Sequence, residues 1–135
     1  LLPWMVARNR GYIINLGSIA GTWPYQGGNV YGATKAFVQQ FSYNLRTDLA
    51  GTAVKVTLIR PGLCSDTEFS RVRFKGDDAR AQGVYRGTDS IKPEDIADMV
   101  LYLVQTPPHV NINDIEVMPV CQTYGGLHVT RNLRL

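Results

Sequence analysis

Gly11-Tyr12-Ile13-Ile14-Asn15-Leu16-Gly17-Ser18, then Tyr31-Gly32-Ala33-Thr34-Lys35, then Ala53-Val54-Lys55-Val56-Thr57-Leu58-Ile59 together form the stretch that decides the fold. The first and last pieces are rich in β-branched residues and stop at Gly17 and at Pro61-Gly62, so both read as strands. Between them Ala33, Phe37, Phe41, Leu45 and Leu49 recur every four residues. That spacing predicts a helix over about 30–49, stopped by Gly51. Strand, helix, strand in this order is the unit of a parallel α/β sheet.

Working outward, a glycine- and proline-rich loop fills 21–28. Residues 63–88 are polar, charged and aperiodic, which predicts a long loop with at most one short helix, the kind of segment that serves as a lid. Pro93, with Glu94 and Asp95 behind it, suits the first turn of a helix running through Ile96, Val100, Leu103 and Val104 to Pro107-Pro108. Ile115–Met118 reads as a last short strand, followed by an irregular tail. Leu1–Met5 reads as the end of a helix already under way, and the first residue is not Met. Both features suggest a piece of a longer protein.

The 135 residues are 44% hydrophobic and 19% charged, an ordinary globular balance for one domain. No apolar run approaches the roughly 20 residues that span a bilayer, and Leu1–Met5, without a charged start and a long apolar stretch, does not read as a secretory signal. The formal charge of +3 comes from scattered basic residues, without a basic stripe interleaved with aromatics, so nucleic acid is not an expected partner. Cys64 and Cys121 have neither a disulfide-scaffold count nor metal-ligand spacing, and read as reduced thiols of a cytoplasmic protein. No metal is expected.

Chemistry concentrates at Tyr31 and Lys35. Their i, i+4 spacing places both side chains on one helix face. A tyrosine titrates near pH ~10, and a neighbouring ammonium favours its phenolate, so the pair is a candidate acid/base unit. Ser18, at the mouth of the preceding strand, supplies a hydroxyl for a substrate oxygen. A Tyr-x-x-x-Lys alone is common by chance. The upstream strand-end Ser and the downstream strand ended by Pro-Gly turn it into a constellation.

Ile14-Asn15-Leu16-Gly17-Ser18, Tyr31-Gly32-Ala33-Thr34-Lys35, Ile59-Arg60-Pro61-Gly62 and Pro93-Glu94-Asp95-Ile96-Ala97 stand in the order and at the spacing of the short-chain dehydrogenases/reductases, which the chain resembles over nearly its whole length. Trp23-Pro24-Tyr25, Gly27-Gly28-Asn29-Val30-Tyr31, Thr67-Glu68-Phe69, Val72–Asp77 and His109–Asn113 are similar to the bacterial branch of that family that acts on 3-hydroxy acids with NADP. The resemblance implies a doubly wound parallel sheet of Rossmann type, with residues 1–135 as its C-terminal catalytic half. It implies hydride transfer between NADP and a 3-hydroxy or 3-oxo acid of the serine, L-allo-threonine or malonic semialdehyde kind. Tyr31 would exchange the proton, Lys35 would tune it and hold the nicotinamide ribose, and Ser18 would orient the substrate oxygen. Pro61, Gly62, Leu63 and Thr67 would face the nicotinamide end of the cofactor.

The family's glycine-rich phosphate turn, Asn-Asn-Ala-Gly strand end and helix-borne Asn have no counterpart in these residues, so adenine and phosphates would be gripped elsewhere. NADP rather than NAD therefore rests on resemblance alone. Asp66 is expected to point to solvent. Arg73, beside Arg71 and Lys75 on the expected lid, is a candidate for a substrate carboxylate, against the plainer reading of solvated lid charge. Trp4 and Trp23 read as packing groups, and His109 and His128 as loop and tail residues without a role. The helix over 30–49 builds a subunit interface in the family, which implies a homo-oligomer, dimer or tetramer, for the complete protein. Two rival readings remain at this level: another short-chain reductase, such as one acting on 3-oxoacyl carrier protein, or a non-catalytic truncated piece that is poorly soluble alone.

Overall fold

The central strand explains the sheet. In a computed structural model describing residues 1–124, 129 and 131–132, β2 (Val54–Pro61) lies between β1 (Gly11–Leu16) and β3 (Asp114–Val117), parallel to both. Flanked on both edges and covered on both faces, β2 buries Val54, Val56, Thr57, Leu58 and Ile59, hence its near-continuous apolar run. Lys55 interrupts that run. Its ammonium donates to Thr106 Oγ1 at 2.8 Å and lies 4.5 Å from the centroid of the Tyr12 ring. The buried Thr57 hydroxyl is held between Tyr12 Oη and the Ile112 carbonyl. Asn111 binds both the N–H and the carbonyl of Val56 through its side chain, acting as a substitute strand just before β3 begins.

The crossover between β1 and β2 is α2 (Asn29–Asp48), matching the predicted helix within one residue at each end. Leu45, Leu49, Val54 and Val56 pack with Leu2 and Met5 of α1 (Leu2–Ala7). Asn15 donates to the buried Ser42 Oγ at 2.9 Å, and Ser42 Oγ donates in turn to the Val38 carbonyl, a polar rivet between β1 and α2. The helix α5 (Pro93–Gln105) begins as its sequence predicts, with Pro93 in the first turn and the Asp95 carboxylate accepting from the Lys92 N–H at 2.8 Å.

Two expectations need correction. Residues 63–88 contain two short helices, α3 (Phe69–Arg73) and α4 (Asp78–Tyr85). Their period was hidden because each is short and buries little: Ser70 and Ala81 are the fully buried positions, and a Ser70–Tyr85 hydroxyl contact at 2.6 Å joins the helices. Trp4 is not a packing group, since it is 74% exposed. Trp23 does pack, against Tyr124, and its indole N–H donates to Glu116 at 3.1 Å. Asp66 is exposed, as expected, His109 lies in a turn after α5, as its loop reading expected, and His128 and Arg134 lie outside the described residues. No helix among the described residues is long and apolar enough to cross a membrane.

Candidate active site

Parallel strands deliver their carboxyl ends to one edge of the sheet, where ligands of open α/β sheets bind. Here that edge carries Leu16–Ser18 from β1 and Pro61–Leu63 from β2. They wall a cleft of about 310 Å³ that is also lined by Tyr25, Tyr31, Lys35, Phe69, Arg73 and Gln122. The structure thus brings together Ser18, Tyr31, Lys35, Pro61, Gly62, Leu63 and Arg73.

Ser18 is buried and opens a short 3-10 turn (Ile19–Gly21). Its Oγ accepts from the Ala20 N–H at 3.1 Å, which leaves its own O–H to donate on the cleft side, toward Tyr31. The turn lies hard against α2 because two glycines allow it. A Cβ on Gly21 would lie 2.8 Å from the Lys35 carbonyl carbon, and one on Gly32 would lie 2.9 Å from the Ala20 oxygen. This interlock sets Ser18 opposite Tyr31, and the sequence reading missed it. The available signal was Gly32 inside a strongly periodic helix, where glycine costs about 1 kcal/mol and so calls for a packing reason.

Tyr31 stands in the first turn of α2, its ring 5.3 Å from that of Phe69. Burial pushes its hydroxyl above the ordinary value of 10, Tyr25 adds to the rise, and the Ser18 hydrogen bond and the Arg73 charge oppose it. Lys35 is not among the groups that set this shift. The Lys35 ammonium is 5.8 Å from the Tyr31 ring centroid and donates to the Leu16 carbonyl at 2.9 Å. Burial in turn lowers the pKa of Lys35. A neutral, protonated Tyr31 is a proton donor.

Two cofactor-facing expectations are modified. Thr67 is exposed and does not line the cleft; its Oγ1 accepts from the Phe69 N–H at 3.3 Å, at the entrance to α3. The Leu63 N–H is already engaged by Gln122 Oε1 at 2.7 Å, so a ligand reaching that N–H would have to displace Gln122. Gln122 comes from the tail after β3, whose return to the cleft no local pattern announced. Arg73 reaches the cleft from α3, its guanidinium 5.5 Å from the Tyr25 ring centroid. Arg73, Tyr31 and Phe69 also border an adjoining apolar groove with Val30 and Val72.

Cys64 lines the cleft as a thiol whose pKa burial raises, with the charge of Asp95 adding to the effect, which disfavours a nucleophilic thiolate.

The chain as a whole is similar to known proteins. The sequence profile of the short chain dehydrogenase family matches residues 1–78. NADP-dependent 3-hydroxy acid dehydrogenase YdfG of Escherichia coli strain K12 is 63% identical over 131 residues, 97% of this chain and 53% of that protein. Sulfoacetaldehyde reductase of Chromohalobacter salexigens is 52% identical over 130 residues, 96% of this chain and 51% of that protein. A solved closed form of serine dehydrogenase complexed with NADP+ superposes with a TM-score of 0.91 at 63% identity, covering 96% of this chain and 52% of that one. The chain thus spans about half the length of the curated relatives it matches. With Ser18, Tyr31 and Lys35 gathered at the carboxyl edge of a parallel sheet, and a family profile covering more than half of its residues, this chain belongs to the short-chain dehydrogenase family.

Proposed function

We propose that this chain carries the acid/base half of an NADP-dependent oxidoreductase that interconverts a 3-hydroxy acid and a 3-oxo acid. The observation that carries the reading is the convergence of Ser18, Tyr31 and Lys35 on one cleft beside Pro61–Gly62. In the reductive direction Ser18 donates a hydrogen bond to the carbonyl oxygen of the substrate. As the carbonyl carbon is reduced, that oxygen takes the Tyr31 proton, and Tyr31 is left as a phenolate to be reprotonated from solvent. A tyrosine whose pKa lies above 10 enters this step fully protonated at neutral pH. When bound, NADPH would supply the hydride and be left as NADP+.

The cleft fits the nicotinamide end of such a cofactor. It is walled by the apolar Leu16 and Pro61 and by Gly62, and two of the three Lys35 N–H donors are not used by Leu16. Lys35 would hold the ribose hydroxyls. Pro61, Gly62 and, once freed from Gln122, Leu63 would face the ring. The pyrophosphate and adenosine would be gripped by a glycine-rich turn outside these 135 residues, consistent with relatives about twice as long. The two unpaired thiols suit a cytoplasmic setting.

Arg73 narrows the substrate class. The names of two relatives, a 3-hydroxy acid dehydrogenase and a sulfoacetaldehyde reductase, share a small carbonyl or carbinol carbon near an anionic group. Arg73 borders the same cleft as Tyr31 and offers a fork to such an anion. Reduction of small oxo acids is thereby favoured over reduction of carrier-bound thioesters, which lack that charge.

The test is an NADPH titration followed by nicotinamide fluorescence, with turnover of malonic semialdehyde. Saturable binding with turnover that Tyr31→Phe abolishes is the expected outcome for the complete protein. Binding without turnover of any 3-oxo acid would overturn the assignment.

A further inference from the structure

Ile59-Arg60-Pro61-Gly62 reaches the cleft through Pro61 and Gly62, but Arg60 does not line it. Its guanidinium is nearly buried, with 13% of the side chain exposed, and grips two carboxylates of β3. Nε lies 2.9 and 3.0 Å from the Asp114 oxygens, and Nη1 pairs with Glu116. A staple between β2 and β3 would need nothing more. Arg60 nevertheless continues into the catalytic loop: Nη1 donates to Thr22 Oγ1 at 3.0 Å, and Thr22 donates on to Gln39 of α2 at 2.9 Å. The same carboxylates receive Tyr43 Oη from α2, at Asp114, and the Trp23 indole N–H, at Glu116.

Thr22 is the residue that closes the 3-10 turn opened by Ser18, with its N–H bonded to the Ile19 carbonyl at 3.0 Å. We propose that Arg60 is a positioning residue for Ser18: by holding Thr22 it sets where the Ser18 hydroxyl stands against Tyr31. Ser18 Oγ is tied to its own turn by the Ala20 N–H, so the hydroxyl travels with the turn. The turn is held from one side by the glycine contacts with α2 and from the other by Arg60. The idea rests on the role given to Ser18 above.

The test uses Thr22→Val in the complete protein, because removing Arg60 would strand two nearly buried carboxylates and endanger the fold. Thr22→Val leaves the Arg60 ion pairs intact, and a thermal melt checks its folding. The expected result is a fall in kcat of about 10-fold, in keeping with loss of orientation, and an unchanged Kd for NADP. The double variant Ser18→Ala/Thr22→Val should fall no further than Ser18→Ala, because the two changes remove one function. Arg60→Lys, which keeps the charge without the fork, should resemble Thr22→Val.

A readout independent of turnover is the Tyr31 titration, taken as an ultraviolet difference against Tyr31→Phe. Ser18 pulls the Tyr31 pKa down, so Thr22→Val should raise it in the same direction as Ser18→Ala. An unshifted titration, or losses that multiply with Ser18→Ala, would overturn the proposal. If the wild type reduces no 3-oxo acid, the functional reading falls, and the Tyr31 titration still decides the role of Arg60.

Discussion

Replacing Gly21 by Ala tests the interlock between the Ser18 turn and α2. Gly21 does not lie in the left-handed region, so an alanine can adopt its backbone and only space opposes the change. The added Cβ would meet the Lys35 carbonyl carbon at 2.8 Å, the Ala36 nitrogen at 2.9 Å and the Lys35 oxygen at 3.0 Å. All three are main-chain atoms of a hydrogen-bonded helix and cannot rotate away. Comfortable contacts lie at about 3.5–4.0 Å, so the turn must retreat by roughly 0.5–1 Å. Ser18, three residues earlier in the same turn, retreats with it.

Overpacking of this kind costs about 1–3 kcal/mol, or a Tm lowered by roughly 2–10 °C. Misplacement on the 1 Å scale costs up to about 100-fold in rate. The expected outcome in the complete protein is a folded variant with a lower Tm, kcat reduced about 10- to 100-fold, and an unchanged Kd for NADP. The assays are a calorimetric melt, oxidation of NADPH by a 3-oxo acid, and a cofactor titration. A Tm and kcat both at wild-type values would refute the reasoning, because the helix backbone would then have yielded.

Further outcomes follow from the site and its surroundings. The folded-state pKa of Tyr31 lies above its ordinary 10, so its contribution to stability is full below that value and lost as pH rises through the raised one. Denaturant melts of wild type against Tyr31→Phe should therefore differ by a constant up to about pH 9 and then show wild type losing ground, with no such loss if burial does not act on this hydroxyl. Arg73→Ala should raise KM for small oxo acids about 10-fold, the low end for a charge-assisted bond made by an exposed side chain, with kcat for a neutral carbonyl substrate unaffected. Equal KM for acids would return Arg73 to the status of lid charge. Val30 and Phe37, 76% and 70% exposed on α2, with Phe37 stacked on Phe41 at 6.1 Å, suit the subunit interface that the family resemblance implies. Phe37→Asp should lower the mass measured by light scattering to that of a smaller assembly, and an unchanged mass would place the interface elsewhere.

Much of this protein is legible one residue at a time. The period-four apolar positions of α2, the buried run of β2 and the Pro93 start of α5 are local patterns that the structure repeats to within a residue or two. The Tyr31–Lys35 pair is legible for the same reason, because helix geometry alone puts i and i+4 on one face. The helices α3 and α4 were not legible, since each spans little more than one or two turns and is held by a tertiary contact between Ser70 and Tyr85.

By itself, then, the sequence determined the order of the strands and of the longer helices, the candidate acid/base pair and the family, because those depend on local periodicity and short spacings. Tertiary structure alone decided how near the reacting groups stand and how they titrate. Gly21 and Gly32 admit the Ser18 turn to α2, Gln122 returns from the tail to occupy the Leu63 N–H, and burial raises the Tyr31 pKa. The physical reason is common to all three. Close approach and desolvation depend on which distant residues fill the neighbouring space, and that is fixed only when the sheet and its helices have packed.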